Sequence, residues 1–244
     1  MRIIDLHCYP NTQKWIDCQG PYVEALEKYW GRAWQAKTEE EVVAEFKEFG
    51  IEAMLVALDL TTTIKTPPCD NNYVAGMRDR HDTIIQAWAA IEPALGEAAI
   101  EEAKHAINDL NMIGFHFHPI MQHIRVDDKS FYPLWDEITQ LKAPVMIDVG
   151  MTGMGAGTPG GLGAKTRNAH PASIDALAAD FPDLTIIMSH PGYPWIDETT
   201  AVALHKGNVF WEMSGWSPQY LPDSLKKDIR SRLKDKVMFG SDYP

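Results

Sequence analysis

Several things are scarce in this chain of 244 residues, and each shortage excludes something. There are three cysteines, Cys8, Cys18 and Cys69, which cannot all pair within one chain and follow no metal-knuckle or redox spacing. They point to a reducing, cytoplasmic setting rather than a disulfide framework. Basic charge is also short: 22 Lys and Arg face 34 Asp and Glu, for a net charge of −12. No Lys/Arg cluster offsets that balance, which argues against a nucleic-acid partner, although a single Arg or Lys can still bind a carboxylate. No apolar run approaches the ~18–20 residues of a membrane helix. The first ten residues carry Asp5 and His7 inside their apolar run, unlike a signal peptide. Finally, residues 9–20 contain no Gly-rich phosphate turn, which counts against an open doubly wound sheet, the runner-up architecture.

What is present is a regular alternation. Short apolar runs at 2–8, 53–59, 83–91, 112–118, 144–149, 184–189, 208–213 and 236–241 read as eight strands. Helical spacing fills 95–110, 130–142, 171–180, 197–207 and 222–235, and more weakly 71–80. Thr38-Glu-Glu-Glu41 is a capping box opening a helix that ends at Gly50. Strands alternating with helices imply right-handed βαβ units, and eight of them imply one (β/α)8 TIM barrel over residues 1–244. The chain stops right after the eighth strand, so the final helix is absent from it. Either a C-terminal segment, the favoured reading, or a neighbouring subunit in a homo-oligomer is expected to cover that flank. Two connections are long. Residues 10–37 carry Trp15, Tyr22, Tyr29, Trp30 and Trp34, and read equally as a mouth loop or a small helical excursion. Residues 150–170 hold seven glycines between Gly150 and Gly163, followed by Lys165, Arg167 and His170, and read as a mobile lid.

Polar groups gather where the strands end. Strand 1 supplies Asp5, His7 and Tyr9; strand 4 supplies His116 and His118. Strands 5 to 8 supply Asp148, His190, Glu212 and Asp242. Residues two apart on a strand share a face, so His116 and His118 point one way, as do Asp5, His7 and Tyr9. Imidazoles and carboxylates converging on one mouth are what a zinc-class divalent ion needs. Any one of these alone has a plainer reading, such as Asp5 tying down a loop. His105, His123 and His205 read as surface, and His81 and His170 as loop residues.

At these residues the chain resembles the amidohydrolase superfamily, in the branch of aminocarboxymuconate-semialdehyde decarboxylase, aromatic-acid decarboxylases and related hydrolases. Five segments carry the resemblance: Ile4-Asp-Leu-His7, Gly114-Phe-His-Phe-His-Pro119, Pro144-Val-Met-Ile-Asp-Val-Gly150, Ser189-His-Pro-Gly-Tyr-Pro-Trp195 and Phe239-Gly-Ser-Asp-Tyr-Pro244. The family's metal pattern carries over in part. Its first His matches His7, its strand 6 His matches His190 and its strand 8 Asp matches Asp242. The second His of its strand 1 pair falls on Tyr9, and its strand 5 His falls on Asp148.

The resemblance implies one divalent metal, Zn or alternatively Mn, held by His7, Asp148, Asp242 and His118, with His116 another possible nitrogen donor. Metal-free action, as in some lactone-hydrolysing relatives, is the other possibility. Asp242 and His190 are the expected catalytic pair, and Tyr9, His116, Arg167 and Trp195 the expected substrate contacts, with Lys165 an alternative to Arg167. The leading expectation is hydrolysis of a small aromatic or conjugated carboxylic acid derivative by a metal-activated water. Its alternative is non-oxidative decarboxylation of an aromatic or muconate-type acid. A non-catalytic ligand-binding barrel is the expectation from another class, motivated by the two missing imidazoles.

Overall fold

The computed structural model describes residues 2–244. Eight parallel strands lie in sequence order in one sheet: β1 (Ile3–Cys8), β2 (Ile51–Val56), β3 (Ile84–Ala90), β4 (Gly114–Phe117), β5 (Val145–Asp148), β6 (Ile186–Ser189), β7 (Val209–Glu212) and β8 (Val237–Met238). Strands β2 to β7 are runs whose side chains are largely or wholly buried, as a parallel sheet covered on both faces requires, while β1 is half buried and β8 only partly so. The sheet curls so that β8 meets β1. Leu6 N–H donates to Phe239 O (3.2 Å), Asp242 N–H to His7 O (2.9 Å) and Tyr9 N–H to Tyr243 O (2.8 Å). Asp5 reinforces the seam, its Oδ1 accepting from the backbone N–H of His7 (3.2 Å) and of Ser241 (2.9 Å). This is the (β/α)8 barrel that the alternation predicts.

Helices follow the expected places with local adjustments. The capping box is formed: Glu41 N–H donates to Thr38 Oγ1 (3.2 Å) and Thr38 N–H to Glu41 Oε2 (2.8 Å). The helix it opens, α3 (Glu39–Phe49), buries Val42, Val43 and Phe46 and stops at Gly50, whose φ is 67°. The next helices, α4 (Asn71–Arg80), α5 (Glu97–Asn108), α6 (Tyr132–Gln140), α7 (Pro171–Asp180) and α8 (Ile196–His205), occupy the predicted segments. The last, α9 (Asp223–Ile229), ends well short of residue 235, because Asp228 O accepts from both Ser231 and Leu233 and the chain turns away there. Strand β2 ends earlier than predicted. Asp59 Oδ1 accepts from the backbone N–H (2.9 Å) and hydroxyl (2.7 Å) of Thr61, a local turn that competes with the ladder.

The connection 10–37 is a helical excursion containing α1 (Gln13–Cys18) and α2 (Pro21–Trp30), and it buries Trp15, Tyr22 and Leu26. It also meets the glycine-rich connection. A Cβ on Gly153 would sit 3.0 Å from the Trp30 ring and 3.1 Å from Leu26, and one on Gly157 would sit 3.1 Å from Tyr29. Glycine there makes room for α2 as well as loosening the loop. Among the described residues no helix is long and apolar enough to cross a membrane, and Cys8, Cys18 and Cys69 are free and buried.

Gly114 starts β4 where Pro144 and Trp88 press on it. An added Cβ would fall 2.3 Å from Pro144 O and 2.9 Å from the Trp88 ring. Gly114→Ala is therefore expected to cost about 1–3 kcal/mol through overpacking. Thermal unfolding should show a midpoint lowered by roughly 2–4 °C per kcal/mol lost; an unchanged midpoint would show that β4 is not so tightly held.

Candidate metal centre and active site

The strand ends deliver their polar side chains to one place. The carboxylate of Asp148, at the tip of β5, is shared by three imidazoles. Its Oδ1 lies 3.0 Å from His116 Nε2 and 3.5 Å from His190 Nε2, and its Oδ2 lies 3.4 Å from His118 Nε2. His7, from β1, completes the cluster. Its Nε2 lies 3.2 Å from the Tyr9 hydroxyl and 3.6 Å from Asp242 Oδ1, and its Nδ1 lies 3.2 Å from Glu212 Oε2. The sequence pattern had placed all of these residues at strand ends, and the barrel brings them together.

Two of them require unusual backbone. His190 and Asp242 have φ of 67° and 65°, left-handed values that cost a non-glycine residue about 1–2 kcal/mol. Each is held there: Trp211 Nε1–H donates to His190 O (2.6 Å), and Asp242 N–H donates to His7 O. Strain of this kind concentrates where side-chain direction matters. Gly215 packs against both, since a Cβ there would lie 3.0 Å from Asp242 Oδ2 and from His190 Nδ1.

Burial and charge sort the protonation states. Burial holds His7 down at about 4, although Asp242 pulls the other way. Burial also holds His118 at about 4 against the pull of Asp148. For His190 burial opposes the charge, but Asp148 and Asp242 outweigh it and lift the imidazole to about 10. Asp148 is driven well below the usual carboxylate range because His116, His118 and His190 overcome its burial. Burial raises Asp242 despite His190 and His7, and raises Glu212 to about 7. The cluster thus contains an Asp148–His190 ion pair beside the neutral imidazoles of His7 and His118.

A cavity of about 1130 Å3 opens above the cluster. His118, Asp148, His190 and Asp242 form its chemical end, and Tyr9, Trp15, Trp34, Met151, Met154 and Trp216 wall it. His7 and His116 are buried and do not line it. Of the expected substrate contacts, Tyr9 lines this wall, while His116, buried behind it, Arg167 and Trp195 do not. Arg167 is exposed on a turn of the 150–170 connection, and Trp195 turns its ring onto His170, 4.6 Å away. The cations that do border the cavity are Lys226 and Arg230, at the α9 end. Neither was singled out by the sequence, because a basic residue on an amphipathic helix carries no signal of its own. Ser214, which bonds within the cluster, was missed for the same reason: one hydroxyl past a strand end is unremarked in a sequence.

Two sets of donor atoms lie within 4.8 Å of one another: His7, His116 and Asp148, and His7, His190 and Glu212. The first is a buried pair of imidazoles with one carboxylate, a donor set that suits a divalent transition ion. His116 rather than His118 belongs to it. The Met121 N–H donates to His118 Nδ1 (3.3 Å), so neutral His118 carries its proton on Nε2, and Nε2 of both His118 and His116 faces Asp148.

Residues 5–244 match the family model described as amidohydrolase. The chain belongs to the amidohydrolase family. Among curated proteins none matches it. Among solved structures, this amidohydrolase resembles an uncharacterized TIM-barrel protein from Bordetella bronchiseptica, with 22% identity and a TM-score of 0.75 over 100% of this chain and 86% of that one. It also resembles 5-carboxyvanillate decarboxylase from Sphingomonas paucimobilis, with 15% identity and a TM-score of 0.71 over 100% and 89% of the two chains. A third likeness is to dihydroxybenzoic acid decarboxylase from Polaromonas sp., with bound manganese and the inhibitor 2-nitroresorcinol (17% identity, TM-score 0.67, 100% and 87% covered). At these identities the likeness establishes the fold.

The protonation pattern sets how stability depends on pH in the metal-free protein. Unfolded His titrates near 6.5. Between about pH 4.5 and 6.5 the unfolded chain binds protons that folded His7 and His118 refuse, while folded Glu212 keeps one that the unfolded chain releases. The difference is at most about one proton, and folded Asp242, raised by burial, offsets part of it, so stability should fall on acidification by less than about 1 kcal/mol per pH unit. Above pH 6.5 the sign reverses, because folded His190 keeps a proton up to about pH 10. Denaturant unfolding across pH 4.5–9 should therefore show a maximum near pH 6–7. A curve still rising between pH 7 and 9 would contradict the Asp148–His190 ion pair.

Proposed function

We propose that this amidohydrolase is a metal-dependent, non-oxidative decarboxylase of a hydroxylated aromatic acid. The observation that carries the reading is the continuity of the cavity: a wall of Tyr9, Trp15, Trp34 and Trp216 runs down onto Asp148, His190 and Asp242. A flat ring fits such a wall, and its carboxylate then meets the polar end. Hydrolysis leads the expectations from sequence, but the fold relatives named for an activity act on aromatic carboxylic acids, which supports the decarboxylase alternative instead.

His7, His116 and Asp148 would hold the ion, with Asp242 beside them. A divalent cation there would anchor the oxygens of the substrate and draw electron density from the ring, and manganese, present in the Polaromonas relative, suits a set containing carboxylate. The protein's own groups supply the rest. The aromatic and methionine walls exclude water, and a medium of low polarity favours neutral CO2 over the carboxylate it leaves. The C–C bond to the carboxylate breaks, its electron pair stays on the ring carbon, and one proton must arrive there. Asp242, which lines the cavity at its polar end, is the donor in this scheme. His190, held as a cation by Asp148, keeps a positive charge near the anionic substrate, and Asp242 takes its next proton from solvent through the cavity. Lys226 and Arg230, at the cavity border, favour the approach of an anionic acid despite the net negative chain.

The test uses carboxyl-labelled 2-hydroxybenzoates with Mn2+- or Zn2+-loaded protein in deuterated water. Labelled CO2 should appear, with one deuterium at the vacated ring carbon. Asp242→Asn should lower kcat by about 100- to 10,000-fold, the range of a lost general acid. Absence of CO2 release alongside turnover of aromatic esters or lactones would return the assignment to hydrolysis.

A further inference from the structure

Glu212 ends β7 fully buried and does not line the cavity, so it can reach the chemistry only through its neighbours. All its bonding runs through one oxygen. Oε2 accepts from the Ser214 hydroxyl (2.9 Å) and lies 3.2 Å from His7 Nδ1, while Oε1 has no partner. The slot that holds Oε1 exists because residue 240 is glycine: a Cβ there would lie 2.1 Å from it. Ser214 extends the contact, its Oγ lying 2.9 Å from His190 Nδ1 and 3.4 Å from His7 Nδ1. Two neighbouring imidazoles, stacked with ring centroids 5.4 Å apart, therefore turn Nδ1 to one Glu212–Ser214 unit and Nε2 away from it. On that far side His7 Nε2 meets the Tyr9 hydroxyl and Asp242, and His190 Nε2 meets Asp148.

Donor counting fixes the protons. A carboxylate oxygen accepts and has nothing to donate, so His7 Nδ1 must bear the hydrogen between them. Ser214 has a single hydrogen and gives it to Glu212, so toward His190 it can only accept. The Tyr9 hydroxyl is then free to donate to the bare Nε2 of His7. We propose that Glu212 and Ser214 are positioning residues that fix the proton of His7 on Nδ1 and hold Nδ1 of His190 as a donor, so that His7 presents the lone pair of Nε2 to the centre formed with His116 and Asp148. Only the consequence for metal affinity rests on the metal-dependent reading given above; the tautomer stands on the hydrogen bonds. Partners that orient a ligand in this way typically change metal affinity by about 10- to 100-fold.

The test is long-range proton–nitrogen correlation NMR of the imidazoles in the chelator-treated full chain near pH 8, followed by Mn2+ titration of the same samples. Wild-type His7 is expected to carry its proton on Nδ1; a proton on Nε2 overturns the proposal without any variant. Glu212→Met should move the His7 proton to Nε2 and weaken Mn2+ binding by about 10- to 100-fold. Glu212→Gln keeps an acceptor oxygen and should restore both. His7 signals unmoved in Glu212→Met overturn the role of Glu212. Ser214→Ala, smaller than what it replaces, should shift the His190 Nδ1 signal, and an unmoved signal overturns the role of Ser214. Wild-type protein that binds no Mn2+ yet holds the Nδ1 proton on His7 would remove the metal reading and leave the positioning intact.

Discussion

The centre of this barrel depends on how one buried carboxylate is compensated. An anion as enclosed as Asp148 is costly unless opposite charge and hydrogen-bond donors surround it. Three imidazoles do this, one from the end of β4, one just beyond it and one from just beyond β6. They do not share the task equally. Burial keeps His118 neutral, at about 4, while His190 takes the positive charge and is lifted to about 10. The result is one buried ion pair with a neutral donor beside it. Three neighbouring strands must end in register for that pair to form, and they do: Asp148 pairs with Ser189 across β5 and β6, and Phe117 with Ile147 across β4 and β5.

The same demand explains where the backbone is strained. A regular strand points successive side chains to opposite faces, so it cannot aim two consecutive polar groups into one mouth. His190 follows Ser189 directly, and its left-handed conformation turns the imidazole back toward Asp148. Asp242 repeats the device at the end of the last strand, beside His7. Glycines fit where the returning side chains need space: Gly215 beneath His190 and Asp242, and Gly240 against Glu212. Sheet closure and site assembly share their bonds, since the amide of Asp242 and that of Ser241 both tie β8 to β1. Loosening the β1–β8 seam would therefore disturb the acid as well as the barrel.

Much of this was legible in the residues. Strand ends marked by Asp, His and Glu after apolar runs identify eight strands and the end of the barrel that carries chemistry, because burial and alternation are local properties of sequence. The capping box at Thr38 is legible for the same reason. What was hidden depends on the path of the chain between elements. Arg167 lies in a glycine-rich connection near the mouth in sequence, yet it faces solvent, whereas Arg230 reaches the cavity border from a helix. Trp195 follows the strand 6 motif but spends its ring on His170. The choice between His116 and His118 also escaped the sequence. The two share a face by spacing, and only the folded structure brings a His116 nitrogen within 4.8 Å of donor atoms of both His7 and Asp148.

The departures from the family pattern have a common electrostatic consequence. Where the resemblance implies a neutral imidazole on strand 5, this chain has Asp148, and where it implies a second imidazole on strand 1, it has Tyr9. The first exchange adds a fixed anion, and the structure answers it with a fixed cation at His190. The second removes a nitrogen donor and leaves a buried phenol whose hydroxyl contacts His7. Burial raises that phenol well above its ordinary range, so it stays protonated and acts as a donor. The donor set that remains is poorer in nitrogen and richer in oxygen than the one the resemblance implies. A catalytic water-activating zinc site gains from neutral imidazoles that leave the metal strongly acidic. A site that must hold an anionic ring acid and deliver a proton gains instead from a protonated phenol, a raised carboxyl and an imidazolium at one mouth. Tyr9, Asp242 and His190 stand together at this mouth, so the two exchanges place a phenol and a carboxylate where the resemblance implies imidazoles.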